Sequence, residues 1–244
     1  PSDCGASSHG WFVDDITIEK KKLNFTGDFE TGIGDWQASN GLWEVGSPNA
    51  GPNGSYEGNQ CAGTVLNGFY PGDTDSRLIS PPVTLPITQG NEGIYLRFYQ
   101  WFSYSDCDFG YIQISVYDDL SETWSNWFQL GKKISRNSNV WSLRVDDISD
   151  YAGSTIRLGF LHTANASTWP SDCGASSHGW FVDDIVLFSS CIVDIDKDGD
   201  TDGTDLKLFS EEYLNCELDC RGDFDIDSDV DQSDMIIFSV IFGN

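Results

Sequence analysis

Residues 94–104 read IYLRFYQWFSY and residues 111–117 read YIQISVY, runs that alternate with the period of two expected of strands with one buried face. Working outward, TIRLGFLHT at 155–163 and GWFVDDIVLF at 179–188 repeat the pattern, and Gly, Pro, Asn and Asp punctuate the gaps between runs. Helical periodicity is nearly absent between residues 24 and 188. Two sheets packed face to face are therefore expected, a mainly β fold. A sandwich of that length buries about 70% of its unfolded surface, so it is stable without many crosslinks.

The 244-residue chain carries 39 acidic and 13 basic side chains, for a formal net charge of −26. Such a surface repels phosphate backbones and anionic membranes, so nucleic acid is not an expected partner. With 39% hydrophobic and 14% aromatic residues the chain still builds a packed core. No apolar run approaches the roughly 20 residues of a membrane helix, so no membrane insertion is expected. Residues 1–10 lack a signal-peptide layout, which implies that a targeting segment was removed or that the chain is a piece of something longer.

An internal repeat supports the second view. PSDCGASSHGWFVDDI occupies residues 1–16 and recurs unchanged at 170–185. Residues 1–20 then read as the last strand of an upstream copy, and residues 22–188 as a complete domain. Alternatively, the leading strand completes a sheet in another copy of the protein by strand addition, because an exposed strand with Trp11, Phe12, Val13 and Ile16 is an aggregation hazard.

Several stretches carry a resemblance: GDFETGIGDW from Gly27, WEVGSPNAGPNGSYEGNQCAGTVLNGFY from Trp43, DSRLISPPVTL from Asp75, LRFYQWFSYSDCDFGYIQISV from Leu96, ISDYAGSTIRLGF from Ile148, and the closing GWFVDDI. Together they resemble the MAM-like or galactose-binding-like jelly rolls of secreted bacterial proteins, including domains that follow the catalytic part of some secreted metallopeptidases. The resemblance implies a jelly-roll β-sandwich with a non-catalytic adhesive, glycan-binding or structural role. It also implies a structural calcium held by acids of the first and last strands, which map to Asp28, Glu30 and Asp184; oxygen ligands suit that ion. The competing reading is solvated carboxylates at strand ends.

Residues 191–244 hold 16 acidic and 3 basic side chains, and the acids are ordered. In DIDKDGDTDGTD, Asp194, Asp196, Asp198, Asp202 and Asp205 occupy positions 1, 3, 5, 9 and 12 of a calcium loop, with Gly199 at the turn and the Asp200 carbonyl at position 7. In DFDIDSDVDQSD, Asp223, Asp225, Asp227, Asp231 and Asp234 repeat the order, with the Asp229 carbonyl at position 7 and Ser228 in place of glycine. A tight turn brings alternate oxygens onto one centre, and the last ligand comes from the first turn of a following helix. Leu206 with Phe209, and Met235 with Phe238, give those helices matching apolar faces through which to pack. Two carboxylates 5 Å apart repel by about 0.8 kcal/mol even in water, so Ca2+ is expected to be required for this segment to fold. The pair of loop-helix units resembles dockerin, with aspartate at position 12 and no helix before the first loop. That resemblance implies a cohesin-like partner recognised through hydroxyls at positions 10 and 11. Here Gly203 with Thr204 and Gln232 with Ser233 keep one hydroxyl of each pair, and docking against the adjacent sandwich or another copy is the alternative.

Seven cysteines in an acidic, glycine-rich chain read as an extracellular disulfide set with one left over. Cys173 pairs most plausibly with Cys107, which leaves its repeat equivalent Cys4 to an upstream copy. Cys191 pairs with Cys216 or Cys220, and Cys61 is a buried thiol or takes whichever cysteine remains. Cys173 with His178 has neither zinc spacing nor a second base, and His162 sits in a strand as a structural residue. Of Trp101, Trp124, Trp127 and Trp169 most belong to the core, while the loop pair Trp124 and Trp127 in SETWSNWF is the best candidate for stacking on sugar. Asn24, Asn53 and Asn165 match a glycosylation pattern that has meaning only in a glycosylating host.

The resulting expectation is a secreted, non-enzymatic jelly-roll β-sandwich at 22–188 followed by a small helical dockerin-like module at 191–244. Its first functional reading is a calcium-binding structural or adhesive unit of a cell-surface array or extracellular fibre. The alternative is a carbohydrate-binding module attached to a secreted hydrolase.

Overall fold

A computed structural model describes residues 21–88, 93–165, 176–190, 193, 195–196, 201–216, 220–224 and 229–242. The strand expected within residues 1–20 lies outside them. Thirteen strands follow in chain order among the described residues: β1 (Lys21–Gly27), β2 (Gln37–Ser39), β3 (Glu44–Gly46), β4 (Cys61–Gly63), β5 (Thr74–Ile79), β6 (Val83–Thr84), β7 (Gly93–Ser103), β8 (Phe109–Asp118), β9 (Thr123–Trp124), β10 (Phe128–Ile134), β11 (Ser142–Asp147), β12 (Thr155–Ala164) and β13 (Gly179–Ser190). Two α-helices follow among the described residues, α1 (Gly203–Glu212) and α2 (Gln232–Ile241).

The strands form two antiparallel sheets. The first has the order β11-β7-β13-β4-β3, with β1 sharing the β4 edge of β13. The second has the order β10-β8-β12-β5-β2, with β6 beside β12 and β9 beside β8. The period-two pattern explains why they stack. Leu96, Phe98, Trp180, Val182 and Leu187 of the first sheet face Leu78, Ile112, Ile114, Ile156, Leu158 and Phe160 of the second, all fully buried. Each such side chain contributes roughly 1.5–3 kcal/mol through burial. Phe160 is the hinge of this layer, 5.2 Å and perpendicular to Phe98 and 5.5 Å from Trp180. The indole Nε1 of Trp180 donates to Gln100 Oε1 at 3.2 Å, so the buried ring leaves no orphan donor.

Strand β13 carries a bulge. Its register with β7 shifts between Asp183 and Val186, and Asp184 takes a left-handed backbone with φ 47°. One extra residue re-aims both aspartates, which decides where their carboxylates go.

The two helices do not stand apart from the sandwich. Val193, Ile195, Phe209, Phe224, Val230, Ile237 and Phe238 form one apolar cluster with Tyr95, and Leu143, Val145 and Phe188 of the first sheet pack against it. The segment therefore docks on the outer face of β7, β11 and β13, the course the sequence left open beside a cohesin-like partner. Phe209 and Phe238 do pack the helices together, at 5.0 Å. Leu206 and Met235 do not join them. Each is 46% exposed and lines an open groove of about 390 Å³ with Tyr213 and Phe242.

The disulfide pattern differs from the sequence reading in one place. Cys216 bonds Cys220 across a Cα separation of 5.7 Å, so neither is available to Cys191. The two cysteines lie four residues apart shortly after α1, at a Cα separation a disulfide can span. Cys107 is disulfide-bonded, and Cys61 is a buried free thiol. Cys4, Cys173 and Cys191 lie outside the described residues.

Candidate ligand face and candidate metal centres

The outer face of the second sheet is built by alternate residues of β8, β12 and β5. Cross-strand register sets Ser39, Arg77, Leu161 and Tyr111 in one row, Gln37, Ile79, Gly159, Gln113 and Gln129 in the next, and Arg157 beside Ser115. The loop joining β8 to β10 folds back over these rows and delivers the two tryptophans singled out in the sequence. The Trp127 ring stands on Gly159, where an added Cβ would come within 2.8 Å of it. Trp124 meets Tyr117 edge-on at 5.2 Å. Both indoles are half-buried, as are Tyr111, Gln113 and Tyr117.

Neither indole presents a bare plate. The Arg157 guanidinium lies 4.4 Å from the Trp124 ring and 4.7 Å from the Trp127 ring, and the Arg77 guanidinium lies 4.7 Å from Trp127. Arginine prefers such stacking because its flat, weakly hydrated cation suits an aromatic face. Arg77 Nε also donates to Gln113 Oε1 at 2.8 Å. Nothing in sequence spacing points to these arginines; strand pairing alone brings residues 77, 157 and 124–127 together. The structure gathers Trp124 and Trp127 into one patch with arginine against their rings, so the candidate stacking surface is a mixed cation and aromatic one. Trp101 belongs to a buried cluster with Cys61, Leu66 and Phe181, and Trp169 lies outside the described residues.

The three acids assigned to a sandwich calcium do not converge. Asp28 is exposed and accepts the Glu30 backbone N–H at 3.3 Å. Asp184 pairs with Arg97 Nη2 at 2.6 Å. Glu30 instead grips the 56–60 loop, with Oε1 accepting from the Gln60 N–H at 2.8 Å and the Asn59 N–H at 2.9 Å. Those two amides hold its carboxyl below the usual range. The partner in this grip is Asp183, whose Oδ2 accepts from the Tyr56 and Glu57 N–H groups. Asp183 is 1% exposed, and burial pushes its carboxyl up to about 7. The bulge in β13 turns Asp183 inward and leaves Asp184 to Arg97, a detail strict alternation does not reveal. Glu30 and Asp183 both bear on the buried Cys61 thiol, which burial and these two acids push up.

In the tail, Asp229, Asp231 and Asp234 place a carboxylate oxygen each within 4.8 Å of one another, the one such acid cluster among the described residues. Asp229 thus brings its side chain as well as the expected carbonyl. The helix starts orient the later ligands. Asp231 caps α2 by accepting the Ser233 N–H at 2.7 Å, and buried Asp234 accepts the Asp231 N–H at 2.9 Å. In the first loop Asp202 and Asp205 form the same reciprocal box on α1, and Asp205 also accepts the Ile195 N–H at 2.6 Å. Crowded acids with oxygen-only chemistry fit Ca2+. Asp196 and Asp223 are described too, whereas Asp194, Asp198, Asp200, Asp225 and Asp227 lie outside the described residues. The hydroxyl of Ser233, at position 11 of the second loop, sits 3.5 Å from the Tyr99 hydroxyl, so that position faces the sandwich; Thr204 in the first loop is exposed.

His162 is fully buried between the Tyr104 hydroxyl and Thr74 Oγ1, each at 3.2 Å, and burial lowers it to about 4. It is held neutral as a structural group. His178 Nδ1 lies 3.1 Å from the Gly68 carbonyl and its ring abuts Phe69.

No family model matches the chain. Bacillopeptidase F of Bacillus subtilis (strain 168) is 32% identical over 179 residues, which cover 72% of this chain and 11% of that protein. The chain thus spans about a ninth of that relative's length. Among solved structures, a xylan-binding domain from CBM 22 aligns with 68% of this chain and 94% of its own at 15% identity and a TM-score of 0.41. The K3 cleaved adhesin domain of Lys-gingipain from Porphyromonas gingivalis aligns with 68% and 99% at 19% identity and a TM-score of 0.40. No helix among the described residues is long and apolar enough to cross a membrane.

Proposed function

We propose that this chain is a non-catalytic glycan-binding module of an exported protein, the second of the two roles the sequence suggested. The observation that carries the reading is the outer face of β8, β12 and β5, where half-buried Trp124, Trp127, Tyr111 and Tyr117 lie among Gln113, Gln129, Arg77 and Arg157, while the tail cluster packs on the other sheet. Aromatic rings beside fixed hydrogen-bonding groups are what sugar recognition needs, since a pyranose offers apolar C–H faces and a rim of hydroxyls. The disulfides of Cys107 and Cys216 support an oxidising location outside the cytoplasm.

The acid cluster of Asp229, Asp231 and Asp234 supports a second element of this reading, a dockerin-like tail that binds Ca2+. Asp202 and Asp205 take the corresponding places in the first loop. Bound calcium would neutralise the crowded carboxylates and hold each loop closed against its helix.

Affinity electrophoresis of the whole chain in calcium tests the glycan reading. Retardation by at least one soluble polysaccharide is expected, and Trp127→Ala is expected to abolish it while near-ultraviolet circular dichroism stays native. Unretarded migration through neutral and acidic polysaccharides alike would overturn the proposal.

A further inference from the structure

The two arginines of the open face differ from three others of the chain. Arg97 pairs with Asp184, Arg144 with Asp146 and Arg221 with Glu212, as expected of a chain with three acids for every base. Arg77 and Arg157 make no ion pair among the described residues. Asp75 acts on Arg77 only at longer range. Arg157 Nε is buried with no hydrogen-bond partner, an arrangement that costs about 1–3 kcal/mol if nothing answers it. Both cations lie against the same Trp127 ring, so they repel one another. Burial weakens the basicity of both, and for Arg157 the nearness of Arg77 adds to the effect.

Stacking consumes the flat faces of a guanidinium and leaves its N–H groups pointing outward in the plane, the geometry that meets a planar carboxylate. Gln113 occupies only Arg77 Nε. No acceptor among the described residues meets the terminal nitrogens of either arginine. We propose that the ligand of this face is an acidic polysaccharide, whose uronate carboxylate binds between Arg77 and Arg157 while neighbouring sugar rings lie along Tyr111, Trp124 and Trp127. This rests on the reading of the face as a glycan site and adds the charge of the ligand. With a formal net charge of −26 the chain as a whole disfavours an anionic polymer, so binding one needs a local cationic patch such as this.

The test is calorimetry or affinity electrophoresis of the whole chain in calcium with glucuronoxylan and polygalacturonate, the same polymers after chemical reduction of their carboxyl groups, neutral arabinoxylan and β-glucan, and dextran sulfate. At least one native uronate polymer is expected to bind, and reduction of its carboxyls is expected to weaken binding about tenfold or more, the usual size of a lost charged hydrogen bond. Arg157→Gln and Arg77→Gln are expected to match that loss, with Arg157→Lys recovering only part of it. Equal binding of native and reduced polymers would overturn the acidic-ligand inference while leaving glycan binding intact. Binding of dextran sulfate without either uronate would overturn the carboxylate assignment. Failure of every polymer would overturn both readings. The reduction arm needs no variant and decides the matter even if an arginine substitution unfolds the chain.

Discussion

Strand β7 is buried at every residue from Gly93 to Trp101, whereas β8, at the same depth in the opposite sheet, alternates between buried and half-exposed positions over most of its length. The outward side chains of the two sheets are chemically alike. Tyr95, Arg97, Tyr99 and Trp101 point out from the first, and Tyr111, Gln113 and Tyr117 with Arg77 and Arg157 from the second. What separates them is the covering. The tail packs on Tyr95 and its neighbours, and the loop before β4 closes over Trp101, where Trp141 Nε1 donates to the Gly54 carbonyl. The chain covers one of these amphipathic aromatic surfaces with its own tail and loop and leaves the other open, the face proposed above to receive a glycan.

The largest expected effect breaks that covering. Phe209 touches Phe224 and Phe238 in the tail core, so Phe209→Ala is expected to remove about 3–5 kcal/mol from the tail. Hydrogen exchange is then expected to rise in α1 and α2 and along outer β11, with β8 and β12 unchanged. Equal loosening of both sheets would show that the tail and the sandwich unfold as one unit.

The next effect isolates the sandwich. Burial lowers His162 to about 4 from an ordinary value of 6.5, so the unfolded chain takes up a proton first as pH falls. The stability due to this group is complete above 6.5 and declines as pH drops toward 4, by at most roughly 3 kcal/mol. Urea unfolding followed by tryptophan fluorescence is expected to show a flatter acid slope in His162→Gln than in the parent chain. Chelation is expected to remove helical circular dichroism from the tail, a loss of about 2.7 kcal/mol where calcium stands at a hundred times its dissociation constant. Signals of Trp124 and Trp127 should not move.

The smallest effect touches only the open face. Gly159→Ala places a methyl against Trp127 and the Arg77 chain, both able to shift, so a stability change of about 1 kcal/mol is expected with a clear change in Trp127 emission. The tail helices should not respond.

Much of the fold was readable because it is periodic. Alternation in residues 94–104, 111–117, 155–163 and 179–188 marks β7, β8, β12 and β13, and the aspartate spacing marks where α1 and α2 begin. The candidate sites were less readable, for reasons particular to each. The bulge in β13 exchanges the roles of Asp183 and Asp184, and a slip of one residue has no signature in composition. Arg77 and Arg157 meet Trp127 only because β5, β12 and the β8-β10 loop are neighbours, a long-range fact. Leu206 and Met235 look like core residues by helical spacing, yet the aromatic stack of Phe209, Phe224 and Phe238 fills the tail core without them. The pairing of Cys216 with Cys220 was one of several that seven cysteines allow, and spacing alone does not choose among them.

The Tyr95 and Phe188 rings stack 5.5 Å apart within the same cluster as Val193 and Ile195. Tension arriving through the tail is therefore passed to β13, which β7 grips along one edge and β1 and β4 along the other. A central strand pulled lengthwise yields only when its flanking ladders shear together, because their hydrogen bonds run crosswise to the pull. Mechanically, the tail is a handle bolted to a strand paired on both edges, on the side of the molecule away from the open face.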